Sequence, residues 1–431
     1  MEGTFWGPDF AALERDDPEI AAVLLGELAR QRVTLNLVAS ESPTSPAVLA
    51  ALGSTLANKY AEGYPGQRYY GGCEQVDRAE ELAVQRAREL FGADHANVQP
   101  HSGASANLAA YAALAEPGDP VLAMGLPHGG HLTHGSRANF SGRWFHPIAY
   151  HVDPDTEEID YDEVRELSLA HQPKLIICGA MSYPRLIDFA RFRRIADEVG
   201  AYLMVDAAHF IGLVAGRAVP SPVPYADVVT STTHKALRGP RGGLILCRSE
   251  LAQRIDKAVF PFAQGGPMMH AVAAKAVAFR EASRPAFRAY AEQVVRNARE
   301  LVAALAEEGM RPVAGGTDTH LAVLDLRALG VSGRDAEQRC ERAGISVNRN
   351  VVPYDPVRPA IASGIRIGTP AVTTQGMAEP EMRRIALLLA TAVRADPGTP
   401  AGADALTGVR DSVRELAGEF PAYLPELVTT R

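Results

Sequence analysis

The chain has 431 residues, room for one large and one smaller packed domain, and its 47% hydrophobic and 22% charged residues are the balance of an ordinary globular protein. A formal charge of −8 argues against a general nucleic-acid partner or an anionic membrane surface. The four cysteines have no CxxC or metal-ligand spacing and read as reduced thiols of a cytoplasmic protein; no apolar run is long enough to span a bilayer, and the opening MEGTFWGPDF lacks the basic flank of a signal peptide.

Strand-like runs alternate with helical periodicity through the first two-thirds of the chain. The loop region Tyr60–Gly66 and Arg68–Gly72 is rich in Gly and Tyr with one acid, Glu62, a composition suited to function or contact rather than core. Asp77–Phe91 reads as a helix. Ser102-Gly103-Ala104-Ser105 lies between a strand-like run and a helix starting near Ala106; it is an ordinary cap or a phosphate site made of free backbone N–H groups. Pro120–Met124, Lys174–Cys178, Tyr202–Val205, Val228–Ser231 and Gly243–Cys247 are short apolar runs between turn signals, as expected of buried strands in a mostly parallel sheet covered by helices. Three histidines, His128, His131 and His134, sit among glycines with no acid or cysteine beside them. A flat imidazole stacked on a flat ligand fits them better than a metal, and no metal is expected. Arg185–Gly200 reads as a helix capped by Gly200.

Asp206 ends the run Tyr202–Val205, with His209 three residues on. Alone, such an acid is a helix cap; near a reactive lysine it is a partner for a protonated ring nitrogen. That lysine is Lys235, at the end of Val229-Thr230-Ser231-Thr232-Thr233-His234-Lys235 and closed behind by Gly239-Pro240-Arg241-Gly242-Gly243. Shielded from water, its ammonium is disfavoured and the amine becomes a nucleophile able to form a Schiff base, of which pyridoxal phosphate (PLP) is the commonest partner; the other reading is a surface lysine beside a tight turn. Ala271–Glu308 reads as one long helix after Gly265-Gly266-Pro267. His320–Leu326, Ile345–Val347 and Ile365–Ile367 read as strands, Arg334–Ala343 and Glu379–Arg394 as helices, and Asp396–Ala403 as a surface loop before a last helix. The fold class is therefore α/β, with a seven-stranded type of sheet in a large domain at 31–284. An N-terminal arm at 1–30 precedes it and a smaller α+β domain at 285–431 follows. Arg366, inside Gly364-Ile365-Arg366-Ile367-Gly368, is either a fork for a substrate carboxylate or a buried structural ion pair.

Taken together, LVASES (37–42), NKYAEGYPGQRYYGGCEQVD (58–77), FGADHANVQPHSGASAN (91–107), HGGHLTHGS (128–136), VDAAHF (205–210), TTHKALRGPRGG (232–243), QGGPMMH (264–270), GGTDTHL (315–321), VNRNVVP (347–353) and SGIRIGTPA (363–371) resemble the serine (glycine) hydroxymethyltransferases, PLP enzymes of the aspartate aminotransferase fold type. The resemblance implies that Lys235 carries PLP, Asp206 pairs with its ring nitrogen, His131 stacks on the ring and His209 lies near its phenolic oxygen. Ser102, Gly103 and Ala104 would meet the phosphate, with His234 and with Gly265 and Gly266 of a second subunit, while Met181 would lie beside the ring. Ser40 and Arg366 would hold the amino-acid carboxylate. Tyr60, Glu62 and Tyr70 would reach across a homodimer interface (or one within a tetramer of dimers), Glu62 managing the hydroxymethyl proton as a carboxyl tuned by burial. Tyr69, Leu126, Gly130, Leu132 and Asn350 would correspond to the site of the cosubstrate, tetrahydrofolate.

The chain departs from the family pattern at Ala104 and Met181, where serines are usual, at Phe262-Ala263, usually Gly-Gly, and at Ser42-Pro43, usually Asn-Tyr. The implied reaction is serine–glycine interconversion in one-carbon metabolism. Beside it stand α-methylserine/D-alanine chemistry with methylenetetrahydrofolate, folate-independent cleavage of β-hydroxy amino acids, and a PLP-binding protein without turnover, against which the joint presence of Lys235, Asp206, Arg366 and Glu62 argues.

Overall fold

The structure, a computed structural model, describes residues 9–423, so the first eight residues of the opening MEGTFWGPDF lie outside it. Seven strands form the central sheet: β1 (His95–Asn97), β2 (Pro120–Met124), β3 (His146–Tyr150), β4 (Leu175–Cys178), β5 (Tyr202–Asp206), β6 (Val228–Thr232) and β7 (Gly243–Cys247), in the order β1-β7-β6-β5-β4-β2-β3. All neighbours are parallel except β7, which runs against both β6 and β1. Because β1 and β6 both oppose β7, they point the same way. The chain therefore leaves β1, β2, β4, β5 and β6 at one common edge, and β7 starts there.

Side chains alternate across this sheet as the two-residue period demands. Val121 and Ala123 of β2 and Leu175 and Ile177 of β4 face one core with Met204 and Ile245. Leu122, Ile176, Leu203, Val205 and Leu244 face the other. The first face is covered by the alanine-rich helix α1 (Gly103–Leu114), whose Ala106, Ala109 and Ala110 let it lie close. On the second lie Phe192 of helix Phe189–Val199 and Phe279 of helix α2 (Met269–Ala282). Each such large side chain contributes about 1.5–3 kcal/mol by leaving water.

A smaller sheet, Arg311–Pro312, Leu321–Asp325, Gly364–Gly368 and Asn348–Asn350 in that order, is antiparallel throughout. It belongs to a second core that also takes in Leu35 and Leu37, the strand Leu35–Asn36 pairing parallel with Ile345–Ser346.

Four expectations need correction. The stretch Ala271–Glu308 is two helices, α2 and α3 (Pro285–Glu307), because Pro285 occupies the first turn of a new helix and has no N–H to continue the old one. The helix expected at Arg185 begins at Phe189, where Asp188 caps it by accepting from the Arg191 N–H at 2.9 Å. The loop expected over 396–403 ends at Thr399, which caps a helix from Pro400 to Glu419. Strand β3 had not been anticipated; it is an edge strand with Pro147 in it and only Tyr150 buried, so the apolar signal is missing. Among the described residues no helix is long and apolar enough to cross a membrane, and no group of side chains forms a metal site.

Candidate active site

At the common strand edge lies a cleft of about 390 Å³, and strands of both sheets contribute to it. Asp206, the last residue of β5, is 7% exposed. Its carboxylate accepts from Asn107 Nδ2 of α1 at 2.9 Å and from His134 Nε2 at 3.0 Å, and Oδ1 accepts the Ala208 N–H at 3.1 Å. Burial opposes ionisation, but the hydrogen bonds from His134 and Asn107 outweigh it and hold the carboxyl well below its usual range. The tautomer of His134 follows from its other nitrogen. Nδ1 accepts the His131 N–H at 3.1 Å, so Nε2 carries the proton given to Asp206.

His131 lines the cleft next to it. Its Nδ1 accepts the Thr133 N–H at 3.2 Å and faces the Thr133 hydroxyl at 2.8 Å. Burial pulls its pKa down to about 4, so the ring is a neutral plate at neutral pH. His209 is buried beside it and stacks on His320, with centroids 5.6 Å apart at 24°. Burial, then the charges of Lys235 and Arg366, keeps His209 far below the ordinary imidazole value and holds His320 at about 3.

Lys235 follows β6 and is half-buried in the cleft, its amine without a hydrogen-bond partner among the described residues. Burial lowers its pKa to about 8; Asp206 opposes the shift and Arg366 and Arg241 add to it. That is a nucleophilic lysine by geometry and by charge.

Ser102 caps α1, its Oγ accepting the Ser105 N–H at 3.1 Å, so the ordinary cap is real. The phosphate reading stands beside it. A Cβ on Gly103 would come within 2.7 Å of Thr232 Cγ2, so only glycine lets the turn approach β6, and the first N–H groups of α1 open on the cleft. Ala104 lines that turn without a polar group. His234 and Arg241 line the same end, and burial, then Arg241 and Lys235, holds His234 at about 3.

From the smaller sheet comes Arg366, 8% exposed, while its neighbours Ile365 and Ile367 turn into the second core. It donates from Nε to Asn348 Oδ1 at 3.1 Å and from Nη1 to the Met181 carbonyl at 2.8 Å; no carboxylate pairs with it among the described residues, so the structural ion pair is not what it makes. Burial depresses its pKa to about 10, still charged at neutral pH. Ser40 and Met181 complete the wall.

The remaining expected residues lie elsewhere on the single chain. Tyr60, Glu62, Tyr70, Gly265 and Gly266 form a cluster of their own: the Tyr60 hydroxyl donates to Glu62 at 3.4 Å, the Tyr60 and Tyr70 rings meet edge to face at 5.0 Å, and a Cβ on Gly266 would stand 3.2 Å from the Tyr60 ring. Tyr69 packs on Phe260, and Tyr60, Tyr69, Tyr70 and Phe262 are 55%, 74%, 47% and 63% exposed. Leu126 and Leu132 are exposed, Gly130 is pressed against the Met124 carbonyl, and Asn350 is buried in a small separate cavity with His128.

Sequence reasoning missed His134, Asn107 and Arg241. His134 was weighed with its neighbours for a metal and for stacking on a flat ligand, not as a partner of an acid; the signal was its position three residues from His131 in a tight turn.

The protein-family model for serine hydroxymethyltransferase matches residues 13–389. Serine hydroxymethyltransferases from Rippkaea orientalis and Acidobacterium capsulatum are each 55% identical over 412 residues, covering 95% and 96% of this chain and 96% of each relative. The one from Koribacter versatilis is 54% identical over 422 residues, 97% of both chains. This chain, with its Lys235–Asp206–Arg366 cleft at the strand edge, belongs to the serine hydroxymethyltransferase family.

Proposed function

We infer that the cleft carries PLP on Lys235 and interconverts serine and glycine, with tetrahydrofolate taking up and returning the one-carbon group. The observation that carries this reading is the arrangement of Lys235, Asp206 and Arg366. An unpartnered amine, an acid held ionised and an arginine free of any carboxylate face one cleft of about 390 Å³. The donor set fits PLP: Ser102, Gly103, Ala104, His234 and Arg241 surround the place for a phosphate, His131 supplies a flat neutral ring and Asp206 an anion for a pyridinium.

Bound PLP supplies an electron sink for the bonds at the amino acid's Cα. The protein does the rest. His134 and Asn107 keep Asp206 ionised, so it would hold a proton on the ring nitrogen of a bound cofactor. Arg366, fixed by Asn348 and Met181, would clamp a substrate carboxylate with the donors it has left and so orient the bonds at Cα. Lys235, poised near neutrality, takes and returns a proton at its Nζ.

Glu62 is assigned the hydroxymethyl proton, reaching the neighbouring subunit's cleft together with Tyr60, Tyr70, Gly265 and Gly266; the exposed Tyr60 and Tyr70 rings of this cluster, no member of which lines the cleft of its own chain, support a homodimer with shared sites. The folate is assigned to Tyr69, Leu126, Gly130, Leu132 and Asn350. Four free buried cysteines support a cytoplasmic setting. The domain limits 1–30, 31–284 and 285–431 are retained as a working division, which the break between α2 and α3 supports, with Leu35 and Leu37 packing into the smaller core.

Identity of 54–55% to relatives all named serine hydroxymethyltransferase supports serine and glycine over the α-methylserine or aldolase alternatives. The test is direct. Added PLP is expected to give a visible absorption band that Lys235→Ala abolishes, and L-serine to yield glycine only when tetrahydrofolate is present. A colourless protein would overturn the reading; turnover of D-alanine but not glycine, or turnover indifferent to folate, would replace its substrate.

A further inference from the structure

Lys275 lies in the middle of α2, 1% exposed, among the fully buried side chains of the large domain. No carboxylate pairs with it among the described residues. Instead Nζ donates to three backbone carbonyls, Val98 at 2.6 Å, Gly243 at 2.8 Å and Pro100 at 3.0 Å. An ammonium has three N–H donors, and this site uses all of them. Burial pulls the group down to about 7, against the charge of Glu80, while three acceptors call for the full ammonium. Such a group is costly to bury, and α2 would pack as well with an apolar residue there.

The carbonyls it gathers belong to the places where the chain leaves β1 and enters β7. Ser102 and Gly103 follow Pro100 with only His101 between, and the Gly243 N–H donates to the Pro100 carbonyl at 2.9 Å. Gly243 is pressed against this turn so tightly that a Cβ would stand 2.3 Å from the Ser102 carbonyl. One on Gly242 would stand 2.5 Å from Lys275 Cε. The turn is tied from the other side as well, His101 N–H donating to Gln264 Oε1 at 3.3 Å.

We propose that Lys275 is a positioning residue for the cofactor's phosphate: by clamping the carbonyls of Val98, Pro100 and Gly243 it fixes the strand ends from which the Ser102–Gly103 turn springs. The inference rests on the PLP reading of the cleft. It assigns Lys275 a role for the phosphate alone, since Lys235, Asp206 and His131 stand on other strand ends and loops.

The test compares pyridoxal phosphate with pyridoxal, which lacks the phosphate, by visible absorption titration of cofactor-free protein. Lys275→Met is expected to weaken pyridoxal phosphate by about tenfold or more while changing pyridoxal by less than about threefold, the effect of misplacing donors to a charged acceptor. Gly242→Ala, which crowds the Lys275 head without removing it, is expected to show the same selective loss and covers the case in which the methionine variant does not fold. Parallel weakening of both ligands, or an unchanged ratio, would assign Lys275 to packing alone and overturn the proposal. Wild-type protein that binds neither ligand would overturn the reading of the cleft, and this inference with it.

Discussion

Replacing Lys235 with methionine should make the cofactor-free protein more stable. The folded-state pKa of Lys235 is lowered to about 8 from 10.5, so the fold disfavours its charged form. Below pH 8 both folded and unfolded chains carry the proton, and the full penalty is present. Between 8 and 10.5 the unfolded chain binds more protons, so stability rises with pH, and above 10.5 the penalty is gone. A shift of 2.5 units at about 1.36 kcal/mol each is about 3.4 kcal/mol, which we discount to about 2 because the side chain is only half-buried and solvent screens part of the charge. Methionine matches the length without the charge. With an unfolding entropy of about 2.1 cal/mol/K per residue over 431 residues, about 2 kcal/mol corresponds to roughly 2 °C in Tm. Calorimetry or urea unfolding of both proteins at pH 7 and pH 10 gives the check: the variant should gain at pH 7 and most of its advantage should vanish by pH 10. A variant less stable at pH 7, or a gap that stays constant with pH, would refute the reasoning, because the lysine would then not be strained in the fold.

Arg366→Lys replaces a planar fork held by Asn348 and Met181 with a single ammonium, and should raise the KM for the amino acid about thirtyfold, near 2 kcal/mol, with a smaller change in kcat. Ala104→Ser puts a hydroxyl into the phosphate turn and should tighten pyridoxal phosphate by about tenfold in titrations while leaving pyridoxal unchanged. If the exposed Glu62 cluster serves the neighbouring cleft, Lys235→Ala and Glu62→Ala, each inactive alone, should recover about a quarter of wild-type activity after equimolar subunit exchange, since half of the dimers are mixed and each holds one intact site. Loss of the Asp206 support in His134→Ala should weaken cofactor binding without removing it, because Asn107 and the Ala208 N–H remain.

Why Asp206 and Lys235 could be picked out of the chain while His134 and Lys275 could not is a matter of what kind of information a local pattern holds. Asp206 ends a buried strand and Lys235 lies in the turn three residues beyond another, and a polar residue after an apolar run at a strand's carboxyl end stands out against its neighbours. The central strands were likewise legible because both of their faces are buried and most of their residues are apolar, whereas β3, at the edge and half exposed, carries no such run. Helix limits depended on single residues: Pro285 and Asp188 set boundaries that the broad periodicity of their segments overrode. His134 and Lys275 act through atoms brought from far along the chain. The carboxylate under His134 lies 72 residues away, and the Lys275 head meets carbonyls 177, 175 and 32 residues away. A lysine within Val272–Phe279 reads locally as the solvent face of a helix, and only the closing of β1 against β7 turns it inward. The same distance decides what the departures mean. Met181 stands where a serine is usual, yet its backbone accepts from Arg366 and donates to the Gly129 carbonyl at 2.8 Å, so its hold on Arg366 does not depend on its side chain. Substitution there leaves the backbone contacts that hold Arg366 intact, which is how a cleft can change its lining and keep its arginine in place.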